Sequence, residues 1–230
     1  GSTNIAVDGK DTYNSYITTK AGNKPVVYVG ANEGMLHAFN AEITGTDMGK
    51  ELFAYVPAKI YQNLSALTDL SYDKSHKYFV DGTPTVSDVY LGGGWKTYLV
   101  GGLRAGGKGI YALDITNPTS FAADNVKWEF TDADDSALGL TVGQLQIAAV
   151  SDTQWAAIFG NGYNSSSQQP ALYIVDLSNG DLITRIDVPS TAPATLPNGL
   201  STPFLFDRNG DGIMGNEVED GDAIYAGDLH

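Results

Sequence analysis

No cysteine occurs among the 230 residues, which excludes disulfide cross-links, thiolate nucleophiles and cysteine-based zinc sites. The compartment stays open, because exported proteins also fold without disulfides. Basic residues are scarce: 13 Lys and Arg stand against 27 Asp and Glu, a formal net charge of −14. A surface of that sign repels a phosphate backbone, and no local basic patch offsets it, so nucleic acid is set aside as a partner. No apolar run approaches the ~18 residues a membrane-spanning helix needs. Histidine is limited to His37, His76 and His230, without His-Glu-x-x-His spacing, and no Gly-x-Ser-x-Gly elbow is present. The opening Gly1-Ser2 reads as a cloning remnant, so the N-terminus says nothing about location.

What is present favours short strands. Hydrophobic residues make up 42% and charged residues 17% of the chain, a balance that argues against disorder. The 27 glycines and 13 tyrosines accompany brief apolar runs, as tight turns between strands require. Residues 1–24 are polar and read as a lead-in loop, and residues 25–230 as one all-β domain. Pro25 to Gly30 and Met35 to Asn40 form a hairpin, followed by a third strand from Glu51 to Pro57. Apolar residues three and four apart over residues 58–77 predict a short helix.

A longer unit then recurs. Gly82 to Tyr90, Lys96 to Gly102, Gly109 to Ile115 and Val126 to Phe130 are its four strands. Thr141 to Ala148, Trp155 to Gly160, Ala171 to Leu177 and Asp181 to Val188 repeat them. The earliest segment matches strands two to four of the unit. Leu200 to Phe206 and Ala223 to Gly227 begin a further copy. Such repetition predicts a β-propeller built of four-stranded antiparallel blades, with an incomplete last blade. An immunoglobulin-like sandwich does not explain the repeated hairpins with matching third strands.

The strongest chemical signal lies in that last copy. Asp207, Asn209 and Asp211 place oxygen-bearing side chains at alternate positions, Gly212 supplies a sharp turn, and Ile213 offers a backbone carbonyl, as in a calcium loop. The helix-loop-helix version fails, because its twelfth position is Val218 and both flanks read as strands. Six carboxylates, Asp207, Asp211, Glu217, Glu219, Asp220 and Asp222, crowd residues 207–222 and repel one another unless solvated or neutralised by a cation. Asp222 is the first choice for the closing ligand, because the hairpin returns it beside Asp207; Glu217, Glu219 and Asp220 are the reserves. Calcium is favoured over magnesium, which prefers a smaller octahedral shell. The competing reading is a polar turn stabilised by Asx hydrogen bonds alone.

Other constellations read as structural. Gly101 to Gly109 lacks the Gly-Lys-Ser/Thr ending of a phosphate loop and reads as a flexible hairpin loop. The clustering of the carboxylates in one loop, not across a cleft, speaks against a glycosidase pair. Trp95, Trp128 and Trp155 read as blade-packing anchors, and His37 as facing a neighbouring blade.

Tyr28 to Asn40, Glu51 to Pro57, Val80 to Pro84, Gly106 to Asp114, Ile158 to Asn164 and Tyr225 to Leu229 resemble, in order, the C-terminal domain of the PilY/PilC family of type IV pilus tip-associated adhesins. The resemblance implies a modified β-propeller on a secreted, surface-exposed bacterial protein at the pilus tip (fimbrium), with outer-membrane association compatible with it. It further implies a non-enzymatic module that works with minor pilins and with host-cell or abiotic surface receptors, and that has a place in virulence. Calcium occupancy would govern pilus extension against retraction, twitching motility and adhesion. The family's loop is of the D-x-N-x-D-G-x-x-D type. Asp207, Asn209, Asp211 and the Ile213 carbonyl match it directly, and Asp222 supplies the closing Asp when Gly215 to Gly221 is an insertion. No Arg-Gly-Asp occurs, so integrin binding has no support. Val29-Gly30 to Phe39-Asn40 also resembles repeats of pyrroloquinoline-quinone dehydrogenases. That alternative needs a cofactor-stacking Trp and a central calcium, and it lacks the adjacent half-cystines that cover the quinone ring.

Overall fold

A computed structural model describes residues 6–189, 196–215 and 221–229. Among the described residues thirteen strands form four antiparallel sheets, and within each sheet chain neighbours are sheet neighbours. The first sheet holds β1 (Val26–Gly30), β2 (Leu36–Asn40) and β3 (Glu51–Tyr55). β4 (Thr85–Leu91), β5 (Gly94–Gly102), β6 (Gly109–Asp114) and β7 (Val126–Thr131) form the second. The third holds β8 (Gln146–Ala149), β9 (Trp155–Gly160), β10 (Ala171–Asp176) and β11 (Leu182–Asp187). In the fourth, β12 (Phe204–Phe206) pairs with β13 (Ala223–Tyr225). These are the expected blades: four strands in each of the two central sheets and fewer in the outer two, among the described residues.

The core follows from stacking the sheets. β6 and β9 are buried at every position, because a central blade strand is covered on both faces and therefore reads as a continuous apolar run. One apolar cluster joins the second and third sheets through Val100, Ile110, Phe130, Phe159 and Tyr173. Another joins the first and second through Leu36, Tyr55, Leu99 and Tyr111, and a smaller one, with Ile158 and Leu200, leads to the fourth. Trp128 and Trp155 belong to the largest cluster, and the Trp128 indole donates to the Leu177 carbonyl at 2.9 Å. The tryptophans are packing anchors, as expected.

Four local expectations change. The lead-in contains a helix, α1 (Lys10–Lys20), which hydropathy patterning does not signal because none of its residues is buried. The helix expected over 58–77 is present as tight 3₁₀ turns, Ala58–Thr68 and Tyr72–Lys74. The glycine-rich loop before β6 is packed rather than flexible: Leu103 is buried, and a Cβ on Gly106 would lie 1.6 Å from the Phe79 carbonyl oxygen. β8 and β12 start later than expected, because the preceding backbone bonds to a loop. Leu140 donates to the Tyr163 carbonyl at 2.6 Å, and the Leu200 carbonyl accepts from Gly162 at 3.1 Å.

The partners of His37 lie in its own sheet and in the turn before β2. The ring stacks on Phe39 of its own strand at 5.5 Å, with Nδ1 against Glu51 and Nε2 against Glu33, both at 2.5 Å. The hydrogen bond to Glu51, then that to Glu33, raises its pKa above the ordinary 6.5 against a smaller opposing effect of burial. A raised folded-state value stabilises the fold fully below pH ~6.5, and that contribution fades as pH rises through the folded value. An NMR titration of the His37 ring is expected to show a midpoint above the ordinary 6.5, moving down in Glu51→Gln; the same midpoint in both proteins would contradict the clamp.

Candidate metal centre

The Asp207 to Asp222 stretch connects β12 to β13, the turn between the first two strands of its sheet. Asp207 directly follows β12 and folds the chain over itself. Its Oδ1 accepts from the Gly210 amide at 2.6 Å and its Oδ2 from the Gly212 amide at 2.8 Å. Asn209 Oδ1 accepts from the Asp211 amide at 2.9 Å, and Asp211 Oδ1 from the Ile213 amide at 2.8 Å. These bonds across two residues are Asx turns, in which a short polar side chain replaces a backbone partner. Gly210 and Gly212 stand at φ +74° and +80°, a left-handed conformation that glycine adopts without steric cost.

Asp222 closes the loop from its other end. Its Oδ1 accepts from the Arg208 amide at 2.9 Å and its Oδ2 from the Gly215 amide at 2.9 Å, so one carboxylate clamps both arms of the hairpin beside Asp207. The structure thus brings Asp207, Asn209, Asp211 and Asp222 into one hydrogen-bonded turn. The reserves Glu217, Glu219 and Asp220 lie outside the described residues.

The donor set consists of hard oxygens without sulfur or imidazole, which suits calcium. A carboxylate oxygen that accepts one amide retains a further lone pair for a cation. Among the described residues, no three acidic or histidine side chains form a ready-made metal cluster. The loop as folded is an amide-supported set of oxygens rather than a closed coordination shell.

Ile213 behaves differently from the other members. Its side chain is 1% exposed and sits in the large apolar cluster with Ala149 and Trp155. It forms a parallel bridge with Ala149, and the Met214 amide donates to the Ala149 carbonyl at 2.8 Å. The Asp211 carbonyl accepts from the Ala6 amide at 2.7 Å, so the N-terminal segment flanks the loop. Sequence reasoning missed both anchors. Their only signals were a short apolar run in each polar stretch, Ile5-Ala6-Val7 and Ile213-Met214.

The chain as a whole is similar to known proteins. The PilY1 beta-propeller domain family matches residues 2–230. A type IV pilus biogenesis factor PilY1 from Pseudomonas aeruginosa strain UCBPP-PA14 is 42% identical over 97% of this chain. A PilY1 homolog from Xylella fastidiosa strain Temecula1 is 40% identical over 96%. The chain spans 18% and 15% of those relatives' lengths. The crystal structure of the Pseudomonas aeruginosa PilY1 C-terminal domain is similar with a TM-score of 0.73 and 37% identity, covering 94% of this chain and 39% of that one.

Proposed function

Because the chain belongs to the PilY1 β-propeller domain family, we propose that it is a calcium-responsive, non-enzymatic module of a type IV pilus biogenesis factor. Asp207, Asn209, Asp211, the Ile213 carbonyl and Asp222 would hold the ion. The observation that carries the reading is the double clamp by Asp222, which returns a second carboxylate to the Asp207 arm of the turn.

A bound calcium would supply positive charge where carboxylates otherwise repel one another. The chain's own residues do the rest. Asp207 and Asp222, one from each arm of the hairpin, gather the backbone amides of residues 208–215, Ile213 seats the turn in the core, and the glycines allow the reversal. Fixing this turn changes the surface offered to a partner. In the setting the relatives' names describe, that partner would be a minor pilin or another pilus-tip component on the bacterial surface. The expected consequences are on extension against retraction, twitching motility and adhesion. The buried, edge-packed tryptophans also favour a binding module over a quinone enzyme, since Trp128 and Trp155 have no open face for a stacked ring.

Titration calorimetry tests the site. Calcium is expected to bind the native chain at one site, and Asp211→Ala to weaken it at least about tenfold, since ligand charge count sets affinity in such loops. Equal affinities in the two proteins would overturn the assignment.

A further inference from the structure

Helix α1 is held against the second sheet without one buried residue. Eleven residues are too few for a helix to persist alone in water, so its docking depends on what it touches. Tyr13 lies on Trp95 with ring centroids 4.3 Å apart, and its hydroxyl donates to Asp88 Oδ2 at 3.1 Å. The Lys20 ammonium donates to Asp88 Oδ1, and the Tyr16 hydroxyl bonds the Thr97 hydroxyl at 2.6 Å. Partly solvated contacts of this kind contribute about 1 kcal/mol each or less, which places the helix among the least stable elements of the fold.

Its firm attachment is the short segment before it. Val7 is 1% exposed and belongs to the same apolar cluster as Ile213, Ala149 and Trp155. Ala6 donates to the Asp211 carbonyl at 2.7 Å, and Asp8 to the Asp152 carbonyl at 2.8 Å. At the helix start, the Gly9 carbonyl accepts from the Trp95 indole at 2.8 Å. Residues 211–214 therefore have the N-terminal segment on one side and the end of β8 on the other.

We propose that α1 is a latch whose closure is set by the turn over residues 207–215 and the Asp222 carboxylate that clamps it. With the loop fixed, the Asp211 carbonyl and the seated Ile213 hold Ala6 to Asp8, and the helix stays on Trp95 and Asp88. With the loop loosened, the segment loses that hydrogen bond and part of its packing, and the helix releases. Release uncovers Trp95, Asp88 and Thr97. It also removes one wall of a cavity of about 440 Å³, which Lys20, Ala21 and Asn23 line on one side and Val86, Thr97 and Thr116 on the other. The physiological trigger rests on the calcium reading above, whereas the coupling is between protein groups alone.

Amide hydrogen exchange tests the coupling with and without calcium. In calcium-free protein, Asp222→Ala frees the Arg208 and Gly215 amides without touching the core, and α1 amides are expected to exchange about tenfold faster while β5, β6, β9 and β10 stay protected. Ile213→Ala should act in the same direction. Faster exchange in the loop with unchanged α1 in both variants would overturn the latch. Calcium added to the native chain is expected to slow exchange in α1. By reciprocity, Val7→Ala should weaken calcium binding by the factor that calcium stabilises the docked segment. Calcium that binds and slows the loop but not α1 would overturn the latch and leave the metal site standing. No calcium binding at all would remove the trigger, while the calcium-free comparison still decides the coupling.

Discussion

Asn161→Ala is expected to lower the unfolding free energy by at least about 3 kcal/mol, because it strips partners from three buried backbone groups at ~1–3 kcal/mol each and from a fourth that is partly buried. Asn161 is fully buried. Its Nδ2 donates to the Ala137 and Gln169 carbonyls at 3.0 and 2.8 Å, and its Oδ1 accepts from the Ala171 and Leu200 amides at 3.0 and 3.1 Å. One side chain thus ties the end of β9 to the approach to β8, the start of β10 and the chain leading to β12. Asn161→Asp does not rescue it, since a carboxylate would face two carbonyl oxygens that need donors. Urea unfolding of both variants provides the measurement. A loss under about 1 kcal/mol at unchanged m-value would show that other groups or water satisfy these positions.

Gly162→Ala is expected to lower the midpoint of thermal unfolding by about 10 °C, the shift that corresponds to roughly 3 kcal/mol in a chain of this size. The residue stands at φ +67°, and an added Cβ would lie 1.6 Å from the Leu140 carbonyl oxygen. Both are backbone constraints, so no side-chain rotation relieves them. Relief requires parting the Leu140–Tyr163 bridge or moving Gly199, which packs against the Gly162 carbonyl. Gly93→Ala is the comparison: it has a similar φ of +82° with nothing within 4 Å, and should cost only about 1 kcal/mol. Equal losses in the two variants would mean that conformation alone, not the close approach, sets the cost. Because Asn161 and Gly162 share partners through Leu200, the double variant should lose less than the sum.

These two residues sit in the Ile158 to Asn164 stretch, one of those that carry the family resemblance. Their roles are structural, a junction between the third and fourth sheets. The Asp207 to Asp222 turn was legible for a different reason. Asp207, Asn209 and Asp211 bond to amides two to five residues away, so their arrangement is encoded locally. Asp222 lies fifteen positions beyond Asp207 and was legible only through the hairpin, whose strand pairing brings its carboxylate back to Arg208. Helix α1 was not legible. Its polar sequence carries no buried stripe, and what folds it is the distant surface of Asp88, Trp95 and Thr97. The His37 partners were not legible, because alternation along β2 says which face a side chain occupies, not which carboxylates share that face.

The sequence by itself determined the number and order of the blade strands, since apolar runs bounded by glycine and polar turns leave few alternatives once they repeat. It also determined the Asp-Asn-Asp core of the Asp207 to Asp222 turn, because those contacts span a few residues. Only the tertiary structure decided that Ile213 is seated in the core, that Ala6 donates to the Asp211 carbonyl, and that a helix lies on Trp95. Each of those depends on groups brought together across most of the chain, and no local pattern records a partner so far away.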